Sequence, residues 1–250
     1  MRLTVLASGS AGNGYLLEAR HSALLIECGV RPEELMRRTA VAPSRIAGAL
    51  VTHEHSDHAG FADRYANLGI PLYASRGTLQ RMPRLQAGAT VRRVHAMQSF
   101  RVGEFNVNAF DTRHDAAEPL GFVIEHPEAG RILFLTDTAF CPYDFRGLHL
   151  DHMLIEANYD DRLLDGNVAN GLIDEARAAR TRRDHMSLRT ACELIRADQT
   201  AELKNVVLLH LSRNNGDPDE FARQAAESAL FARISVARAG LSIDLMKHEI

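Results

Sequence analysis

The segment Thr52-His53-Glu54-His55-Ser56-Asp57-His58 places three histidines and an aspartate within six positions, directly after the apolar run 46–51. Neutral imidazole and carboxylate are the donors that borderline divalent ions such as zinc take. His53 and His55 lie two apart on extended backbone at a strand end, so both can point the same way. Asp57 and His58 fall in the turn beyond and can face a second ion. With this chain's own His and Asp frequencies, H-x-H-x-D-H arises by chance in about two of a thousand such sequences. A hydrophilic turn that is merely histidine-rich is therefore the poorer reading, and the segment is read as a metal site.

Each ion needs about four donors, with a position left open for water. The cluster therefore demands partners from elsewhere. His114 follows Phe110-Asp111-Thr112-Arg113 in a loop between strands. Asp137 lies in Thr136-Asp137-Thr138, where a carboxylate between two ions can bridge them. His210 ends a late strand. Taken alone, a histidine at a strand end is more often structural than ligating, but the cluster reverses those odds.

The elements that would position these residues share one pattern. Apolar runs end abruptly in a ligand type: 49–51 before His53, 133–135 before Asp137 and 207–209 before His210. Residues 153–155 before Glu156 are a fourth, weaker case. Buried strands of layered α/β folds read this way, and ligand sites collect beyond their ends. Around them, strands are expected at 3–7, 15–18, 23–27, 70–74, 105–110, 121–125, 131–136 and 205–209. Helices are expected at 32–38, 59–68, 76–82, 170–180, 187–198 and 218–231. Both halves run strands then helices, which suggests two sheets packed face to face with helices outside.

At 250 residues the chain is long enough for one sizeable core and is read as a single domain over 1–250. A net charge of −3 excludes binding nucleic acid through global charge but leaves room for a local basic patch. No apolar run approaches a membrane span, and residues 1–7 are too short for a signal peptide. Cys28, Cys141 and Cys192 are an odd number without framework spacing, so a reduced, cytoplasmic setting with inert thiols is expected.

The ordered set H-x-H-x-D-H, His114, Asp137, His210 resembles the metallo-β-lactamase superfamily over nearly the whole chain. Flanking motifs are similar to its YycJ/WalJ-like branch: Ser8-Gly9-Ser10-Ala11-Gly12-Asn13, His114-Asp115-Ala116, Leu135-Thr136-Asp137-Thr138, Asp184-His185-Met186-Ser187 and His210-Leu211-Ser212-x-Asn214-Asn215. The resemblance implies an αββα four-layer sandwich of two mixed β-sheets flanked by helices. It implies two divalent ions, zinc first and then manganese or iron. His53, His55 and His114 would hold one, Asp57, His58 and His210 the other, with Asp137 bridging. It further implies a hydrolase using a metal-bound hydroxide, most simply a phosphodiesterase or nuclease on nucleic acid or another phosphodiester. The rival is a thioesterase or lactonase on the same two-metal site. Also weighed are a flavo-diiron redox protein, for which no flavodoxin-like domain is found, and a non-catalytic sensor.

Phosphodiesterase branches place an extra histidine near His185, which makes it the candidate proton donor to the leaving group, beside Asp57 as the other catalytic candidate. Arg177, Arg180, Arg182, Arg183 and Arg189 surround His185 with only Asp184 as a nearby counter-charge. They form either a solvated helix face or a phosphate-binding rim, of which Arg182 and Arg183 are the candidate contacts. Arg213 beside His210 can reach substrate phosphate, and Asn13 is expected to line the site. Two departures stand out: Glu27 where the superfamily usually has Asp, and Tyr159 where the branch tends to carry His. His21, His95, His126, His149, His152 and His248 are read as ordinary surface or core histidines.

Overall fold

The computed structural model describes residues 1–82, 85 and 90–247. The first sheet holds β1 (Arg2–Ala7), β2 (Gly14–Glu18), β3 (Ala23–Ile26), β4 (Ile46–Leu50), β5 (Leu72–Ala74) and β6 (Val91–Arg93). The second holds β7 (Ser99–Val102), β8 (Phe105–Asp111), β9 (Leu120–His126), β10 (Gly130–Leu135), β11 (His152–Glu156), β12 (Asn205–Leu209) and β13 (Arg233–Val236). The final strand, β14 (Ser242–Asp244), returns to the first sheet beside β1. Both sheets change character midway. Pairing is antiparallel from β1 to β3 and parallel from β3 to β6; likewise antiparallel from β7 to β10 and parallel from β10 to β13.

Strands buried on both faces explain the unbroken apolar runs. Alternate residues of one run enter different cores. Leu24, Phe134, Leu154 and Val207 pack between the sheets with Tyr15 and Phe122. Leu25 and Ala49 face outward onto α1 (Pro32–Arg38) and α3 (Ala62–Asn67) through Leu35 and Tyr65. On the opposite flank Leu133, Ile155 and Leu208 meet α7 (Leu188–Asp198) and α8 (Pro218–Ser228) through Ile195 and Phe221. The layers run helix, sheet, sheet, helix, as expected. No helix among the described residues is long and apolar enough to cross a membrane.

Several expected boundaries moved. The helix expected at 59–68 is split into α2 (Ser56–Ala59) and α3, and α4 covers Arg76–Arg81. The helix expected at 170–180 lies instead at Glu175–Asp184 (α6), because Asp174 accepts the Arg177 N–H and starts it there. An unforeseen α5 (Asp161–Ala169) starts at Asp160, whose carboxylate accepts the N–H groups of Arg162 and Leu163. Strands β6, β7, β13 and β14 were also unforeseen; all are short, at most four residues. The three cysteines are free thiols.

Candidate metal centre

The parallel strands of both sheets deliver their C-terminal ends to one edge. Beyond β4 come His53, His55, Asp57 and His58. Beyond β8 comes His114, beyond β10 Asp137, and beyond β12 His210. Three of the turns involved are sharp. Glu27 and His210 directly follow β3 and β12, and Asp137 follows β10 after Thr136, with φ of 66°, 55° and 47°, a left-handed conformation that non-glycine residues seldom adopt. Such backbone is maintained only where surrounding contacts enforce it, and it gathers at functional sites.

The donors fall into overlapping groups. His53, His55 and His114 bring one donor atom each within 4.8 Å of one another, and so do Asp57, His58 and His210. Asp137 stands between them. Its Oδ2 lies 3.8 Å from His53 Nε2, 3.5 Å from His114 Nε2 and 3.4 Å from His58 Nε2; its Oδ1 is 3.9 Å from His210 Nδ1.

Hydrogen bonds behind the rings select which nitrogen faces inward. His53 Nδ1 donates to Thr52 Oγ1 at 2.9 Å, and that hydroxyl donates to Glu27 Oε1 at 2.5 Å. His53 Nε2 is then left buried, with no hydrogen-bond partner among the described residues, aimed at Asp137. His114 Nδ1 donates to the Asp184 carbonyl at 2.9 Å, so its Nε2 lone pair meets His55 Nδ1 at 3.1 Å. His58 Nδ1 lies 3.2 Å from Glu27 Oε1, while its Nε2 faces Asp57 and Asp137. His210 Nε2 sits 3.3 Å from Asp57 Oδ2. Lone pairs that converge on a buried carboxylate, one of them orphaned, are what a divalent cation would satisfy. The residues fit the implied ions.

The buried charges bias which of these rings carries a second proton. Burial works against charge on His58, but Asp137 and Glu27 outweigh it and hold the ring well above its ordinary pKa. The same contest, won by Asp137 and Asp57, pushes His210 up to about 10. Burial pushes His53 and His114 down, so both present neutral imidazole. Burial opposes charge on Asp57 and Asp137 too, yet the facing histidines keep both carboxyls below their usual range.

Glu27 fills the place usually held by Asp. Besides reaching His58, its Oε2 accepts the Thr52 N–H at 3.3 Å, so the longer side chain still braces the histidine loop. The centre opens to solvent at Asp57 and His185, each 22 % exposed, while His53, His58, Asp137 and His210 are 4 % exposed or less. His185 belongs to the centre. Its ring stacks on His210 at 5.4 Å with planes 9° apart, and its Nδ1 is 4.0 Å from Asp137 Oδ2. Ser187 caps α7 as expected, its hydroxyl accepting the Thr190 N–H.

Other expectations need correction. Asn13 was expected to meet substrate, but it is fully buried. Its Nδ2 lies 3.0 Å from His58 Nε2 and donates to the Asp57 carbonyl at 3.2 Å, and its Oδ1 accepts from Gly9 N–H at 2.9 Å. It positions the ligand loop from behind. The basic run is not bare either. Arg182 pairs with Asp165, Arg189 with Asp161, Arg180 with Asp115 and Asp184, and Arg183 with Asp184. Asp161 and Asp165 come from α5 and Asp115 from the His114 loop, whereas Asp184 lies on α6 itself. Arg183 still lines a cavity of about 570 Å³ beside His114. Arg213 and Arg238 line a separate cleft of about 810 Å³ next to the Gly9–Gly12 turn, and Arg182 lines neither.

Two residues went unassigned. Glu156 is fully buried: Oε1 accepts from His185 Nδ1 at 2.7 Å, and Oε2 accepts the N–H groups of Thr138 and Met186 at 3.0 and 3.1 Å. Its signal was the strand-end pattern, already noted as the weakest of four. Asn158 Nδ2 lies 3.0 Å from His210 Nδ1 and donates to the His210 carbonyl at 2.8 Å. Its neighbour Tyr159 packs instead with Leu164, Ile173 and Ala178. His126 and His152 are buried at a distance from the centre, His21, His95 and His149 lie on the surface, and His248 lies outside the described residues.

Comparison with known proteins agrees with this architecture. Exodeoxyribonuclease WalJ of Streptococcus pneumoniae serotype 2 (strain D39 / NCTC 7466) is 26 % identical over 260 residues, spanning 99 % of this chain and 93 % of that one. Exodeoxyribonuclease YycJ of Bacillus anthracis is 28 % identical over 246 residues, spanning 92 % and 89 %. The crystal structure of the metallo-β-lactamase fold protein YhfI from Bacillus subtilis superposes with a TM-score of 0.75 at 17 % identity, covering 97 % of this chain and 99 % of that one. The family model described as the β-lactamase superfamily domain matches residues 23–211, a span that runs from β3 past His210 and so takes in every proposed ligand. This chain is a YycJ/WalJ-like member of the β-lactamase superfamily.

Proposed function

We propose that this protein is a two-metal phosphodiesterase acting on nucleic acid, with seven protein ligands: His53, His55 and His114 for one ion, Asp57, His58 and His210 for the other, and Asp137 shared. The observation that carries the reading is the shared position of the Asp137 carboxylate between two donor groups, with His185 beside it at the mouth. A pair of divalent ions, zinc or else manganese or iron, would supply an activated water near neutral pH and stabilise charge on a displaced oxygen.

The chain's own residues do the rest. Asp57 stands where water enters, and among the described residues its Oδ1 accepts no hydrogen bond, leaving it for water. His185 is anchored through Nδ1, so Nε2 is the atom that holds a proton for a leaving oxygen. Burial opposes a charged His185, but Glu156 outweighs it and raises its pKa, which favours the protonated ring. Arg183 lines the cavity beside His114, and Arg213 the separate cleft next to the Gly9–Gly12 turn; guanidinium matches phosphate geometry, so both are candidate strand contacts. Nucleic acid as the phosphodiester is supported by the names of the two relatives, both exodeoxyribonucleases.

The test is a substrate panel run on metal-loaded protein. End-labelled single- and double-stranded oligonucleotides should be shortened stepwise, while thioesters and lactones remain intact. Hydrolysis of a thioester or lactone with no cleavage of any phosphodiester would overturn the proposal in favour of acyl chemistry.

A further inference from the structure

The cavity beside His114 carries on its wall two side chains that the chemistry above does not use. Phe140 is 41 % exposed, and the Arg113 guanidinium stands 5.0 Å from its ring centroid. The pair is held in place by one hydroxyl. Thr138 Oγ1 accepts the Arg113 N–H at 3.2 Å and donates to the Phe140 carbonyl at 2.9 Å. Thr138 directly follows Asp137, and its own N–H donates to Glu156. The aromatic ring is thereby fixed to the same turn as the shared carboxylate.

Charge around the cavity favours an anionic ligand carrying a flat face. Asp115 and Asp184 also line it, but Arg180 lies 3.7 Å from the first and Arg183 2.9 Å from the second. Arg113, by contrast, has no carboxylate within ion-pair distance among the described residues, and its charge is offset only by the π-face of Phe140.

We infer that Phe140 and Arg113 form a stacking shelf for an unpaired nucleobase adjacent to the scissile phosphate, so that the strand reaches the centre single-stranded on this side. The inference rests on the phosphodiesterase reading above. A base inside a duplex has both faces covered by its neighbours and must leave the stack before it can lie on a protein ring. Base–aromatic stacking is worth ~1–3 kcal/mol per base, or roughly 5- to 150-fold in affinity.

The chain contains no tryptophan, so Phe140→Trp gives a single fluorescent reporter. Metal-loaded Phe140→Trp protein is mixed in stopped flow with a short oligothymidylate, and separately with the same strand lacking the terminal base. Emission should be quenched by the first strand and not by the second. Phe140→Ala should weaken binding of the complete strand by about 5- to 150-fold. Wild type should lose a similar factor when the base is removed, and the two changes together should cost no more than either alone. Equal quenching by both strands, or losses that multiply, would overturn the shelf. If the oligonucleotide is cleaved in that case, the phosphodiesterase reading survives. Selective quenching with no phosphodiester ever cleaved would keep the shelf and remove the hydrolytic reading instead.

Discussion

Glu156 Oε1 lies 2.7 Å from His185 Nδ1, and this one contact decides which nitrogen of the ring faces the opening. Glu156 in turn is locked by two backbone N–H groups, those of Thr138 and Met186, so two loops converge on one buried carboxylate. A glutamine there could keep its oxygen on the two backbone N–H groups but would turn its –NH₂ toward His185 Nδ1, which could then no longer donate. The ring is therefore oriented by the fold rather than by solvent.

If His185 donates the leaving-group proton, His185→Ala should retain its metal and slow turnover by about 10²–10⁴-fold on DNA. The deficit should shrink on a nitrophenyl phosphodiester, whose leaving group needs no proton. Steady-state rates on the two substrates, with metal content measured in parallel, check this. An equal loss on both would assign His185 to positioning.

Asp137→Ala should reduce occupancy at both ion positions, because one carboxylate serves both donor groups. Metal analysis of purified protein should fall from near two ions per chain toward none. Retention of a single ion at wild-type affinity would contradict the shared role.

Gly29→Ala should disable the centre without touching a ligand. A Cβ at Gly29 would stand 1.7 Å from the Asp57 carbonyl oxygen and 2.7 Å from the Asn13 nitrogen, both backbone atoms that cannot swing aside. The ligand loop must shift, and misplaced supports typically cost 10–100-fold in metal affinity. Isothermal titration with zinc reads the effect; unchanged affinity would show that the loop adapts.

Far from the centre, Asp198 is 2 % exposed. Its Oδ1 accepts the Phe145 N–H, while Oδ2 has no partner among the described residues. Burial, with Asp144 beside it, pushes its pKa up to about 6. A carboxyl with a raised folded-state pKa favours folding below the unfolded value and loses that contribution as pH rises through 6. Asp198→Asn should therefore raise Tm at pH 8 by a few degrees and leave it nearly unchanged at pH 4. Thermal unfolding at the two pH values decides it, and equal shifts at both would refute the titration argument.

How legible the molecule was depended on whether the signal was local. His53 through His58 announce themselves because four donors share one turn; Asp137 and His210 follow from apolar runs that stop at a polar residue, and His114 from its place in a loop between two strands. Local chemistry also marks Ser187 as a cap. Glu156 and Asn158 act through partners 29 and 52 positions away, and no local pattern encodes such a distance. The counter-charges of the arginine run were hidden for the same reason. Left-handed backbone at Glu27 had no residue signature, and Asp137 and His210, of types only modestly enriched there, gave a weak one.

The division of ligands between the two sheets bears on how the protein comes into being. Residues through His58 carry four of the seven proposed ligands, yet the shared carboxylate is not among them. The last ligand, His210, follows β12, whose partners β11 and β13 flank it in the second sheet. The proposed centre is therefore incomplete until β12 has formed and the two sheets have docked. If ions bind as proposed, they would clasp one sheet to the other, adding RT ln(1 + [L]/Kd) per site against their separation. Reactivity and closure of the sandwich arrive together.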